Sequence, residues 1–167
     1  MNDQLSLDDL AAWRESAHTG EGHHCHPDDP TLPHRLGVIG EACFARAFGL
    51  NIDVEQRPNG DGGVDFLLPC GLRSLRVDVK TTVDQRAFCL LVEANKVRRA
   101  DVFVLCWLYR SPRNGPLQPR LLGWETCSVV SCFPIQEFGH GKANHFLLPS
   151  DLRPMGDLMR LCALPPP

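Results

Sequence analysis

Apolar and polar positions change period several times along the chain, and each change predicts a new element. Leu7, Leu10 and Ala11 form a short apolar stripe behind Ser6, a candidate N-cap, so residues 6–16 are expected to form a helix. Residues 18–33 have no period and are rich in Gly, Pro, His and Asp, as a loop or linker would be. Leu36, Ile39, Cys43, Phe44, Ala47 and Phe48 recur at helical spacing until Gly49, which predicts a helix over 34–48. Strand signals follow at 52–57, 64–68, 75–82 and 87–92, with the turn Pro58-Asn59-Gly60-Asp61-Gly62-Gly63 between the first two.

Residues 93–100 read as a basic connector. The run from Asp101 to Tyr109 is so continuously apolar that a strand buried on both faces is expected. Further strands are predicted at 121–125 and 144–148, and a last helix from a Ser150 cap to about Leu161; residues 126–143 show no clear pattern. The order of elements implies an α/β fold, a mixed sheet flanked by helices. The organisation expected is an acidic arm (1–33), one domain (34–162) and a proline tail (163–167).

Composition narrows the possibilities. The 167 residues suit one domain with a full core, and no run of about 18 apolar residues suggests a membrane helix. The N-terminus is acidic where a signal peptide would be basic, so a cytoplasmic location is expected. The eight cysteines include no CxxC pair and mostly lie in apolar runs, which predicts small buried hydrophobes in a reducing compartment. The net charge of −3 conceals an imbalance: residues 1–30 hold seven acids and one base, leaving the remainder at +3. That distribution permits a nucleic-acid partner without requiring one.

Chemistry concentrates in Arg76-Val77-Asp78-Val79-Lys80. On a strand, Val77 and Val79 face one side while Asp78 and Lys80 project together from the other. A hairpin would bring Asp65 beside Asp78, and Glu41 lies on the edge of its helix's apolar stripe, able to face the sheet. Carboxylates gathered in this way repel unless a cation lies among them, and an all-oxygen set suits Mg²⁺ or Mn²⁺. Asp61, in the glycine turn, is the rival to Asp65.

Gly40-Glu41, Gly63-Val64-Asp65-Phe66 and Asp78-Val79-Lys80-Thr81-Thr82 together resemble the PD-(D/E)xK nuclease superfamily, and the likeness covers about residues 34–160. The chain departs from the family pattern in having Val64 before Asp65 where Pro is usual, and Asp78 where Glu is more common. The resemblance implies a restriction-endonuclease-like core and Mg²⁺- or Mn²⁺-dependent hydrolysis of DNA phosphodiesters. Asp65, Asp78, Glu41 and the Val79 carbonyl would hold the ion, and Lys80 would orient the attacking water or stabilise charge on phosphorus. Arg73, Arg76, Thr82, Arg86, Lys96, Arg98 and Arg99 are the candidate DNA contacts, with Arg110 and Arg113 further along the chain.

Size and resemblance suggest a homodimer selective for DNA structure, in recombination, repair or phage DNA processing. A restriction or defence nuclease and a catalytically silent binding module are the alternatives. His23-His24-Cys25-His26 contains good zinc ligands but no second cluster at a familiar spacing, so a polar loop is the simpler reading. His140 and His145 could touch DNA but read as ordinary surface residues.

Overall fold

The computed structural model describes residues 32–52, 64–83, 88–110, 117–138 and 141–162, the side chains of 32–34 excepted. The expected helix at 6–16, residues 53–57 of the strand expected at 52–57, Asp61, Arg86, Arg113, His140 and the His23–His26 cluster lie outside these residues.

Helix α1 runs Leu32–Phe48 and buries Val38, Phe44 and Ala45, with Leu36, Ile39, Cys43 and Phe48 partly covered. Ala47, counted in the apolar stripe from its spacing, is exposed. Gly49 ends the helix at φ +64°, and the Leu50 N–H reaches back to the Ala45 carbonyl at 2.8 Å, closing the last turn.

The main sheet is four-stranded and mixed, in the order β1 (Phe66–Cys70), β2 (Arg73–Thr82), β4 (Val102–Arg110), β5 (Leu117–Thr126). β1 and β2 form an antiparallel hairpin, β4 runs parallel to β2, and β5 is antiparallel to β4. Pro69 lies in β1, at the sheet edge, where a missing N–H costs no ladder bond. A second, antiparallel sheet has the order β3 (Leu90–Glu93), β7 (Ala143–Leu147), β6 (Ile135–Glu137). Two sheets replace the single one expected.

β4 joins two cores. Val102, Val104, Cys106 and Leu108 pack with Phe44, Phe66, Val77 and Val79 on the α1 side. Phe103 and Leu105 pack with Leu90, Val92, Val130 and Leu147 under the second sheet. The expected burial on both faces holds to Leu105 and fails beyond it, where Trp107 and Tyr109 are only half-buried.

The segment without a clear pattern contains a four-residue helix, α2 (Cys127–Val130), as well as β6. Ser150 does not cap the last helix. It belongs to a 3₁₀ turn, Pro149–Asp151, and α3 runs Met155–Cys162 after Pro154. Among the described residues no cysteine is in a disulfide; Cys106 is buried, Cys132 is exposed and the others are half-buried. Among the described residues, no helix is long and apolar enough to cross a membrane.

Candidate active site

The β1–β2 ladder pairs Phe66 with Val77, so Asp65 stands one residue beyond β1 and next to Asp78 on the facing strand. Its N–H donates to the Val77 carbonyl at 2.8 Å, and its Oδ2 accepts from the Val79 N–H at 2.6 Å. The Asp65 carboxylate thus replaces a missing strand partner and is held against β2 by its backbone.

Strand alternation sorts the neighbouring residues. Val77 and Val79 lie in the α1-side core, so Asp78 and Lys80 face the other way, in the rows of Phe103 and Leu105. Lys80 Nζ lies 2.7 Å from Asp78 Oδ1; the Asp78 side chain is buried and the Lys80 side chain is partly open to water.

Glu41 approaches from the helix. It is 9 % exposed, within the buried stripe of Val38, Phe44 and Ala45 and not at its edge as the spacing suggested. The close approach of α1 to β2 positions it. A Cβ at Gly40 would lie 2.0 Å from Thr81 Oγ1, so only glycine allows the helix this near the strand.

Asp65 feels both other acids. Its removal from water raises its pKa well above the usual carboxylate value, and the negative charges of Glu41 and then Asp78 raise it further. The Val79 N–H and the Lys80 ammonium oppose the shift and do not outweigh it. Three carboxylates from a helix, a strand start and a mid-strand position therefore share one electrostatic neighbourhood. They do not form a coordination shell: among the described residues, no three His, Cys, Asp or Glu side chains stand where they could hold one metal ion.

The basic residues scatter. Arg76 is engaged by Asp101, which accepts from its backbone N–H at 2.9 Å and from its guanidinium at 2.8 Å. Lys96 is paired with Glu93 at 3.0 Å. Arg73, Arg98, Arg99 and Arg110 are exposed, and Thr82 ends β2 on the Lys80 face. His145 is buried, with Nδ1 2.9 Å from the Phe133 carbonyl oxygen, and serves the packing of the second sheet.

Two features escaped the sequence reading. Cys43 and Cys106 meet between α1 and β4; the hydrogen bond with Cys106, aided by Arg46, lowers the Cys43 thiol to about 7. Phe88, Trp107 and Tyr109 form a row of rings beyond Lys80, with centroid spacings of 4.9 and 5.2 Å. Their apolar character was legible in the sequence, but the position where the covering sheet stops was not.

Compared with protein-family models, curated proteins and solved structures, the chain finds no match.

Proposed function

We propose that the chain is a metal-dependent endonuclease that hydrolyses DNA phosphodiester bonds on a restriction-endonuclease-like core. The observation that carries this reading is the environment of Asp65, a carboxylate withdrawn from water and crowded by Glu41 and Asp78, with Lys80 alongside. Such an arrangement is unfavourable by itself, and a structural role alone would not favour it. The α1, β1–β2 hairpin and parallel β4 arrangement supports the nuclease-like core.

Asp65, Asp78, Glu41 and the Val79 carbonyl offer only oxygen, the donor chemistry of a hard divalent cation, although the three carboxylates do not stand as a coordination shell around one. Bound Mg²⁺ or Mn²⁺ would supply Lewis acidity toward the scissile phosphate. The chain's own groups do the rest. Without the ion, Asp65 holds a proton more readily than an ordinary carboxylate, and it would give that proton up to serve as a ligand. The Lys80 ammonium can stabilise negative charge developing on phosphorus. The Val79 amide fixes the Asp65 carboxylate in place.

The test is cleavage of linear, nicked, branched and single-stranded DNA with Mg²⁺, Mn²⁺ or chelator. Metal-dependent cleavage that is lost in Lys80→Ala is the expected result, and wild-type rates in Lys80→Ala would refute the assignment. Cuts at fixed sequences on plain duplex would point to a restriction or defence role; cuts near junctions would point to recombination or repair. Gel filtration with and without DNA tests the homodimer that two-strand cutting would need.

A second reading has its own support. The 2.7 Å Asp78–Lys80 pair is also an ordinary way to satisfy a strand carboxylate, and it suits a nuclease fold that only binds nucleic acid or protein. Calorimetry with Mn²⁺ separates the two readings, because a silent module takes up no ion.

A further inference from the structure

We propose that the aromatic row Phe88–Trp107–Tyr109, beyond Lys80 on the same sheet face, is a stacking platform for unpaired nucleobases, so that the preferred substrate carries a single-stranded segment. This rests on the nuclease reading for its biological sense, although the platform can be tested without cleavage.

The strand register builds the row. Lys80 and Thr82 share a face of β2, and Thr82 is paired with Trp107 on β4. Leu105, Trp107 and Tyr109 share the corresponding face of β4, and Trp107 is paired in turn with Arg120 on β5. The second sheet covers Phe103 and Leu105 and extends no further, so the next two aromatic residues are left half-buried. Phe88, two residues ahead of β3, lays its ring over Trp107 at 4.9 Å and 19°, and Tyr109 continues the row at 5.2 Å and 33°.

Two observations favour unpaired bases as the occupant. Rings in a partly exposed row leave π-faces at the ends, and every base has a π-face to add. Lys80 on one side and Arg120 on the other place cations where a backbone would run beside the stack. A paired duplex keeps its bases stacked on one another and would present only phosphates here.

The experiment is anisotropy of a labelled oligothymidylate and of a blunt duplex of equal length, titrated with the full chain in chelator. Wild type should bind the single strand more tightly than the duplex. Phe88→Ala and Tyr109→Ala should each weaken single-strand binding by on the order of tenfold and leave duplex binding within about twofold. Trp107→Phe, which keeps a ring, should lose less than Trp107→Ala; the end variants carry the test if Trp107→Ala does not fold. Equal affinity of wild type for both DNAs, or end variants with unchanged single-strand affinity, would overturn the proposal. A protein that cleaves nothing yet keeps the ring-dependent preference would sink the nuclease reading and leave the platform standing. Cleavage without that preference would do the reverse.

Discussion

Two carboxylates at the main sheet, Glu125 buried and Asp65 half-buried, are provided for in opposite ways. Glu125, on β5, is 4 % exposed, and its oxygens accept from the Thr126 N–H at 2.7 Å, the Thr126 hydroxyl at 3.2 Å and Arg153 Nε at 3.2 Å. Arg153 also lies over the Trp124 ring, 5.3 Å from its centroid, and its backbone bridges to Trp124. Asp65, at the far side of the sheet, has one backbone N–H, and the nearest charges acting to raise its pKa are two acids. One carboxylate is paired with a cation where it stands; the other has its pKa raised by two neighbouring acids, which Lys80 opposes without outweighing. Burial alone does not separate the two acids; on the proposed reading, the sign of the surrounding charge is what marks Asp65 as functional and Glu125 as structural.

Activity should give the largest contrast. Asp78→Ala and Lys80→Ala are expected to reduce metal-dependent DNA cleavage by at least about 10²–10³-fold while the circular dichroism spectrum stays native. Glu125→Ala should leave the cleavage rate of folded protein within a few-fold. It should instead cost about 2–3 kcal/mol of stability, because the half-buried Thr126 N–H and Arg153 lose their shared acceptor. A cleavage loss in Glu125→Ala that matches the one in Asp78→Ala would erase the distinction.

Gly40→Ala comes next. The added methyl meets Thr81 Oγ1 at 2.0 Å and Thr81 Cβ at 3.3 Å, so Thr81 or α1 must give way, at a cost of about 1–3 kcal/mol in thermal unfolding, and any shift of α1 carries Glu41 with it. Activity measured well below the lowered Tm should therefore fall as well.

The smallest effect is the most diagnostic. A raised folded-state pKa means that Asp65 favours the fold fully below its ordinary value of 3.8 and gives that contribution up as pH rises through the raised value. Asp65→Asn should therefore raise the Tm of metal-free protein at neutral pH. The gain should vanish toward pH ~4, and each kcal/mol of relieved repulsion should be worth ~2–4 °C. Mg²⁺ or Mn²⁺ should stabilise wild type and not Asp65→Asn, by RT ln(1 + [L]/Kd), or ~2.7 kcal/mol at a hundredfold excess over Kd. An Asp65→Asn protein less stable than wild type at neutral pH would show that this carboxylate, too, is structural.

The sequence disclosed the parts of this contrast that depend on local pattern. Alternation in Leu75–Thr82 separated Val77 and Val79 from Asp78 and Lys80, and the apolar run Asp101–Tyr109 marked the central strand. Helix α1 was legible from its period, although Glu41 proved to lie within the buried stripe and not at its margin. Three features were hidden for physical reasons. β6 is exposed at all three positions and so has no hydrophobic alternation to read. Ser150 has the chemistry of a helix cap, but Pro154 lies between it and α3 and the chain makes a 3₁₀ turn there instead. Arg153 as the partner of Glu125 depends on a contact across 28 positions in sequence that no local signal announces.

The division of β4 between two cores bears on how the molecule can come apart. Since Val102, Val104, Cys106 and Leu108 serve one cluster and Phe103 and Leu105 the other, neither layer can detach without stripping one side of the same strand. Melting should then be a single concerted event, with the β4 amides exchanging hydrogen only through global opening. Asp78 and Lys80 sit in the strand hydrogen-bonded along β4, so their spacing is tied to the last part of the chain to let go.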